Sequence, residues 1–187
     1  PEEIVFGTGS EELLNLTTLI ALEPGDEVVT AVPAFGRYVK ATKIAGGVPV
    51  RVPVQANGSN DIAGMLRAIT PRTRIVYCAL PNNPTGWMNT EAEVRALVAG
   101  VPETALLLID EAYYEFSRYA GGPDVLAMVK STRRGPWMAL RTFSKAYGLA
   151  GLRLGYALCS GVEVANALQR VRTAFNANAL VQAAALA

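Results

Sequence analysis

The amino-acid sequence predicts an α/β protein of three layers (α/β/α), in which helices cover both faces of a mostly parallel central sheet. Short apolar runs that suit β-strands alternate with segments of helical periodicity along the whole chain, which is typical of βαβ units. Several runs, such as ALLLI at 105–109, are apolar on both faces, as expected of strands covered on both sides. Hydrophobic residues make up 51% of the 187 residues and charged residues 18%, so the chain can bury an extensive core.

The individual strands and helices follow from the spacing of apolar residues and from the breakers between them. A turn at 24–26 precedes one strand, and Pro81 ends another. The predicted strands cover 4–6, 27–31, 48–54, 72–80, 104–110, 137–141 and 154–158. One predicted helix begins at residue 10, and the others cover 38–45, 61–69, 90–99, 124–131 and the tail from 162 onward.

Three of these helices begin at a residue that can cap them. Ser10, Asp61 and Thr90 carry side-chain oxygens, and Glu93 completes a capping box with Thr90. The segment Gly7-Thr8-Gly9-Ser10 also joins a strand to a helix, a geometry that can hold a phosphate through backbone N–H groups. Taken alone, the same segment is more typical of an ordinary capped helix.

The composition excludes several classes of function. Seventeen basic and sixteen acidic residues leave a net charge of +1, with no basic run, so nucleic-acid binding is not expected. No apolar segment reaches the roughly 18–20 residues that span a membrane, and the first residues lack the features of a secretory signal. The absence of histidine excludes Ser-His triads and most catalytic zinc sites, so no metal is predicted. Cys78 and Cys159 lie in apolar runs and are predicted to be reduced core thiols, which indicates a cytoplasmic protein.

The stretch RTFSKAYGLAGLRLGYA, from 141 to 157, suits neither a core segment nor a simple surface loop. Lys145 among small and apolar neighbours is expected to be partly desolvated, which favours the neutral amine that attacks carbonyl carbon. Thr142 and Ser144 offer hydroxyl donors and Arg153 a forked cation, which together suit a phosphate. A cofactor with both an aldehyde and a phosphate, pyridoxal 5′-phosphate, matches both sets of groups. The alternative is a lysine with a buried stem and its amine in solvent.

Further polar or aromatic residues follow the predicted strands, where the ligands of parallel sheets collect. Asp110 ends a buried strand, and its carboxylate could hold a proton on a pyridine nitrogen or cap the next helix. Tyr113 could face the same pocket or be a half-buried aromatic residue. Asn83 lies between two prolines in PNNPTG. It could donate a hydrogen bond to a cofactor oxygen, or it could simply be part of a turn. Phe35 could stack on a pyridine ring or belong to the core.

With these motifs in order, the chain resembles the large, cofactor-binding domain of the fold-type I pyridoxal-phosphate aminotransferases. Within that group it is most similar to the histidinol-phosphate aminotransferase branch. The resemblance covers nearly the whole chain through the motifs GSEE, VPAFGRY, PNNPTG, DEAYYEF and RTFSKAYGLAGLRLGY. The last three motifs together are highly specific, whereas the first two are not.

The resemblance implies a role for each candidate residue. Lys145 would bind the cofactor covalently and move a proton between the substrate's α-carbon and the cofactor. Asp110 would pair with the pyridine nitrogen, and Phe35 would stack on the ring, where the family often has tyrosine. The phenolic oxygen of the cofactor would be bonded by Asn83 and Tyr113. The phosphate would be held by Gly9, Ser10, Glu11, Thr142, Ser144 and Arg153.

The resemblance further implies a transaminase that moves an amino group from an L-amino compound, L-histidinol phosphate, to 2-oxoglutarate in histidine biosynthesis. Alternatives are an aromatic or other amino-acid aminotransferase, a threonine-phosphate decarboxylase-like enzyme, and a fragment that binds the cofactor without catalysis. Residues 1–187 would form the large domain of a homodimeric enzyme, whose N-terminal arm and C-terminal small domain lie outside this chain. A dinucleotide-binding fold is not expected, because Gly7-Thr8-Gly9 does not complete the required glycine pattern.

Overall fold

A computed structural model describes residues 2–186, which form one seven-stranded sheet with helices on both faces. The strands are β1 (Ile4–Gly7), β2 (Glu27–Val32), β3 (Val48–Pro53), β4 (Thr73–Ala79), β5 (Leu106–Asp110), β6 (Trp137–Thr142) and β7 (Gly155–Cys159). Their order across the sheet is β1-β7-β6-β5-β4-β2-β3. The predicted three-layer α/β architecture is confirmed.

The strands β2 to β6 run parallel, whereas β7 is antiparallel to both of its neighbours, β6 and β1. The connection from β6 to β7 contains only a 3₁₀ turn at Ala150–Leu152 and no helix that could cross a face of the sheet. Because a parallel return needs such a crossover, the chain turns back antiparallel. The sheet is therefore mostly parallel, as predicted, and its one reversed strand follows from this short connection.

The helices divide between the two faces of the sheet. Their bounds are α1 (Ser10–Ala21), α2 (Arg37–Ile44), α3 (Ile62–Arg67), α4 (Glu91–Gly100), α5 (Tyr114–Tyr119), α6 (Val125–Thr132), α7 (Val162–Val171) and α8 (Ala179–Leu186). Buried residues of α1, α2 and α7 share one core cluster with the sheet, and those of α3, α4 and α6 share the other. Within residues 2–186, none of the helices has both the length and the apolar character needed to cross a bilayer.

Two of the three predicted helix caps are confirmed. The side chain of Asp61 accepts a hydrogen bond from Gly64 N at 2.9 Å at the start of α3. At the start of α4, Thr90 Oγ1 accepts from Glu93 N at 3.3 Å, and Glu93 Oε2 accepts from Thr90 N at 2.8 Å. This reciprocal pair is the capping box that the sequence predicted.

The prediction that Ser10 caps α1 is wrong. Ser10 is the first residue of the helix, and the cap position belongs to Gly9, which has a φ of 77°. A Cβ on Gly9 would collide with the Arg153 guanidinium, so glycine lets this arginine lie against the helix start. On the other side, a Cβ on Gly155 would overlap the backbone of Ser10. Two glycines thus allow α1 to begin in close contact with both Arg153 and β7.

The sequence predicted a continuous helix from residue 162 onward, but the structure has two separate helices there, α7 and α8. Residues 172–178 separate α7 from α8, and their Asn176 returns to the beginning of the chain. Asn176 Nδ2 donates to Phe6 O at 2.9 Å and to Glu12 Oε2 at 3.3 Å, and its carbonyl accepts from Thr8 Oγ1 at 2.7 Å. These bonds explain the break, because they tie this segment to the loop that precedes α1.

Candidate active site

The carboxyl ends of β4, β5 and β6 and the start of α1 open onto a single cavity. Every residue that the sequence predicted for the site lines this cavity, with the exception of Gly9, which lies against the Arg153 guanidinium. The predicted residues on its wall are Ser10, Glu11, Phe35, Asn83, Asp110, Tyr113, Thr142, Ser144, Lys145 and Arg153. The sequence analysis missed four residues of the wall, Tyr38, Ala79, Pro81 and Ala112.

Asp110 is the buried acidic group of the cavity. Its Oδ2 accepts a hydrogen bond from Tyr38 Oη at 2.7 Å, and its Oδ1 accepts one from Ala112 N at 3.0 Å. Burial raises the pKa of Asp110, while these two donors and the charge of Lys145 oppose the rise. Asp110 does not cap α5, because Tyr113 holds the cap position there and no side chain bonds the helix start.

Tyr38, on α2, positions Asp110 and was not identified from the sequence. Its ring stacks on that of Tyr77 with the ring centres 4.9 Å apart, and Phe35 meets it edge-on at 5.7 Å. The Tyr77 hydroxyl is in turn hydrogen-bonded to Thr18 on α1. Burial raises the pKa of Tyr38 well above its ordinary value, so it remains a donor to the carboxylate. In the sequence, Tyr38 ends the motif VPAFGRY and begins the helix predicted at 38–45, but neither feature pairs it with Asp110.

Lys145 lies three residues beyond the end of β6, in a turn that Thr142 holds. Thr142 Oγ1 accepts from Ser144 N at 3.1 Å and donates to Leu154 O at 3.1 Å. The Lys145 Nζ lies 5.2 Å from the centre of the Tyr113 ring. Lys145 is exposed among the described residues, so the prediction that it is partly desolvated is wrong.

Another part of the cavity wall is suited to an anion. Arg153 Nη1 donates to Ser144 Oγ at 3.3 Å and to Ala150 O at 3.0 Å. Arg153 has a φ of 63°, a left-handed conformation that is uncommon for residues other than glycine and recurs at functional sites. Ser10 begins α1 beside it, where the first N–H groups of a helix lack intrahelical partners and its dipole favours negative charge. A cation, a hydroxyl and a helix start therefore meet at this point.

The two asparagines of PNNPTG have different positions. Asn83 is half-buried and lines the cavity, as predicted. Asn82 is buried, and its Nδ2 donates to Pro33 O at 3.0 Å and to Thr85 Oγ1 at 3.1 Å. Asn82 thus fastens this loop to the loop after β2, which carries Phe35, so that two walls of the cavity are held together.

A buried ion pair joins the strands that carry Asp110 and Lys145. Arg141 Nε donates to Glu111 Oε2 at 2.9 Å, and the guanidinium carbon lies 3.5 Å from the centre of the Tyr114 ring. The side chains of Glu111 and Arg141 are 2% and 11% exposed. Because side chains alternate along a strand, Arg141 points away from the cavity that Thr142 lines. The pair therefore holds the ends of β5 and β6 together from the far face of the sheet.

Replacing Arg141 by methionine is expected to lower the free energy of unfolding by about 3–5 kcal/mol, because it leaves Glu111 buried without a partner. The double variant Arg141→Met/Glu111→Gln should lose much less, since it removes the uncompensated charge. Urea unfolding of the three chains at neutral pH measures both effects. An equal loss in the single and double variants would contradict this account of the pair.

A doubly covered, mostly parallel sheet with a lysine, a buried carboxylate and an anion site at its carboxyl edge defines a class of protein. It is a domain built to hold a phosphorylated, ring-containing cofactor beside an amine. The family described as aminotransferase class I and II has a model that matches residues 1–187, and the chain belongs to this family.

The individual proteins to which the chain is similar are named as aminotransferases. The chain is 42% identical over 186 residues to a histidinol-phosphate aminotransferase of Moorella thermoacetica, covering 100% of this chain and 47% of that protein. It is 42% identical over 194 residues to an aromatic amino acid aminotransferase of Rhodococcus jostii, covering 100% and 51%. A crystal structure of histidinol-phosphate aminotransferase from Sinorhizobium meliloti in complex with pyridoxal-5′-phosphate is similar with a TM-score of 0.89 and 34% identity, covering 100% and 50%. The chain thus spans about half the length of these relatives.

The cofactor that the family and the cavity indicate is pyridoxal 5′-phosphate. The residues present fit it. A carboxylate has about four acceptor positions, and Asp110 uses one on each oxygen, so it can accept a further N–H from the cavity. The space where Gly9 would carry a Cβ is filled by the Arg153 guanidinium, which leaves a cation beside the start of α1 for a phosphate.

Proposed function

We propose that this chain is the cofactor-binding large domain, residues 1–187, of a pyridoxal-phosphate-dependent transaminase. The observation that carries the proposal is the single cavity shared by the Lys145 amine, the buried Asp110 carboxylate and the anion site at Arg153. The Lys145 amine matches the aldehyde of the cofactor, the Asp110 carboxylate matches its ring nitrogen, and the anion site matches its phosphate. Membership of the aminotransferase family supports the same reaction.

When bound, pyridoxal phosphate supplies an aldehyde that accepts an amino group and a ring that accepts the electron pair of the substrate's α-carbon. Lys145 is the proposed covalent attachment point, and its Nζ would take the proton from that carbon and deliver it to the cofactor. Asp110 is proposed to keep a proton on the pyridine nitrogen by accepting a hydrogen bond from it. Tyr38 and Ala112 N hold the carboxylate for this purpose.

The remaining cavity residues are proposed to orient the cofactor. Asn83 and Tyr113 would donate hydrogen bonds to its phenolic oxygen, and Phe35 would cover the ring. All three are half-buried on the cavity wall, so they have surface left to contact a ligand. The phosphate would meet the positive end of α1 and the groups beside it. These groups are the backbone N–H groups at Gly9, Ser10 and Glu11, together with Thr142, Ser144 and Arg153.

The proposed amino donor is L-histidinol phosphate and the proposed acceptor is 2-oxoglutarate, which places the enzyme in histidine biosynthesis. The support is that relatives from several bacteria, at 38–42% identity, bear the name histidinol-phosphate aminotransferase. Aromatic amino acids are the second candidate donors, because two Rhodococcus relatives named aromatic amino acid aminotransferase reach 42% and 43% identity.

The assembly and location of the enzyme are also proposed. A homodimer is proposed because it is typical of the family. Exposed apolar side chains such as Phe6, Tyr119 and Phe175 (49%, 96% and 96% exposed) would suit contact with further protein. A cytoplasmic location is supported by Cys78 and Cys159, both buried and unpaired, as expected of a reducing compartment.

The function is tested by absorbance spectroscopy of the purified chain titrated with pyridoxal phosphate. A new band that borohydride converts into a permanent bond to the chain, read by peptide mass spectrometry, is the expected result. L-histidinol phosphate or L-phenylalanine is then added at equal concentration, and conversion of the cofactor to its amine form is followed. Faster conversion by the first donor supports the proposed substrate, and faster conversion by the second supports the aromatic alternative. A folded chain without a band contradicts the proposal.

A further inference from the structure

Glu11 is an acidic residue on the wall of a cavity that is proposed to receive a phosphate. It is the second residue of α1, and it lines the cavity together with Ser10 and Arg153. A carboxylate at this position is favourable for the helix dipole but repels a phosphate that approaches the same helix start. The site therefore needs a means of neutralising Glu11.

The adjacent Glu12 does not pose the same problem. Its Oε2 accepts hydrogen bonds from Thr8 N at 2.6 Å and from Asn176 Nδ2 at 3.3 Å. Glu12 is not among the residues that line the cavity, because these bonds turn it toward the segment between α7 and α8. Of the two acidic residues in the first turn, only Glu11 meets the candidate phosphate site.

Glu11 forms an ion pair with Arg37, the first residue of α2. The side chains are 35% and 29% exposed, so the pair is partly shielded from water. Arg37 itself does not line the cavity. Its guanidinium approaches Glu11 from the side of α2, which leaves the cavity side of the helix start to Arg153.

We propose that Arg37 is a positioning residue for the phosphate of the cofactor, acting through Glu11. The inference rests on the proposed function and deepens it. Arg37 cancels the charge of Glu11 and draws its carboxylate toward α2, so that an incoming phosphate meets the N–H groups of α1 and the Arg153 guanidinium. Without Arg37, a phosphate monoester with a charge near −2 would face an uncompensated carboxylate at this helix start.

The test compares the dissociation constants of pyridoxal phosphate for the wild-type chain, Arg37→Gln, Glu11→Gln and the double variant. Each is obtained by absorbance titration at fixed ionic strength. Arg37→Gln is expected to weaken binding roughly tenfold, the size of one partly screened charge interaction. The double variant should return to within about twofold of the wild type, because the repelling carboxylate is gone.

Pyridoxal without its phosphate separates this role from a structural one. All four chains are expected to bind pyridoxal equally well, because the effect of Arg37 requires the phosphate. The matched control is Arg95→Gln, which breaks the exposed Arg95–Glu91 pair on α4, at the opposite face of the sheet, and should change neither constant.

Three outcomes are distinguishable. If the wild type binds pyridoxal phosphate and Arg37→Gln binds it equally well, the inference about Arg37 is overturned while the proposed function stands. If Arg37→Gln weakens pyridoxal and pyridoxal phosphate alike, without rescue by Glu11→Gln, Arg37 has only a structural role and the inference again fails. If the folded wild type binds no pyridoxal phosphate, the proposed function fails and the inference falls with it.

Discussion

Lys145→Ala is expected to abolish covalent capture of pyridoxal phosphate and to lower the rate of amino transfer by about 10³-fold or more. The effect is large because one amine is proposed for two tasks, attachment of the cofactor and proton transfer at the substrate's α-carbon. The cavity offers no substitute, since Lys145 is the only lysine among the described residues that line it. Arg153, the other cation on that wall, is bonded to Ser144 and Ala150.

Borohydride trapping followed by peptide mass spectrometry measures the first effect, and single-turnover absorbance with an amino donor measures the second. Lys130→Ala is the matched control, because Lys130 is exposed on α6 at the opposite face of the sheet. Urea unfolding should give nearly equal stabilities for the two variants and the wild type. Label that remains on the chain of Lys145→Ala after reduction would assign the attachment to another residue.

Asp110→Asn is expected to lower the rate of amino transfer by about 10²-fold or more, because a neutral amide cannot stabilise a protonated pyridine nitrogen as a carboxylate does. The substitution keeps the local bonding. The amide oxygen can still accept from Ala112 N, and the Tyr38 hydroxyl can rotate to accept from the new N–H₂ group. A loss of activity should therefore come from the charge rather than from a collapsed cavity.

The same substitution is expected to make the cofactor-free chain more stable than the wild type, by an amount that increases as the pH rises. Burial raises the pKa of Asp110 above its ordinary value of 3.8, so the folded chain binds the proton more tightly than the unfolded chain. The contribution of this group to stability is complete below that ordinary pKa and is lost as the pH rises through the folded pKa. Asparagine does not titrate, so the advantage of Asp110→Asn should grow toward neutral pH, by about 1.4 kcal/mol for each unit of pKa shift.

Urea unfolding of both cofactor-free chains at several pH values measures this difference. Asp124→Asn is the control, because Asp124 caps α6 at an exposed position and asparagine caps helices as well as aspartate does. A difference between Asp110→Asn and the wild type that shrinks with rising pH would contradict the assignment of burial as the dominant influence on Asp110.

Much of the fold was predictable because local patterns agree with the final architecture. The apolar runs at 73–79 and 106–110 are strands in the structure, and Thr90 and Glu93 begin a helix where the capping box indicated. The gathering of Asp110 and Lys145 was also predictable, because the carboxyl ends of adjacent parallel strands meet at one edge of a sheet. Family motifs then linked those residues to one cofactor.

The parts that could not be predicted depend on packing between distant segments. Tyr38 and Asp110 are 72 positions apart, and no local pattern pairs them. The cap of α1 was misassigned because serine is a preferred N-cap residue. The cap position instead belongs to the left-handed Gly9, where the contact with the Arg153 guanidinium leaves no room for a side chain. The exposure of Lys145 was missed because its neighbours in sequence are apolar, while its neighbours in space leave it open.

The pairing of β1 with β7 has a consequence for how the chain is made. In the described sheet the first strand, Ile4–Gly7, pairs with Gly155–Cys159. Phe6 in this strand and Thr8 just after it bond to Asn176, which lies 170 and 168 positions further along the chain. During synthesis, β1 and the start of α1 therefore emerge well before residues 155–176, with which they pair, and cannot dock until those residues are made. The β2–β6 sheet can form without them, so the phosphate-binding corner should be the last part of the nascent domain to mature.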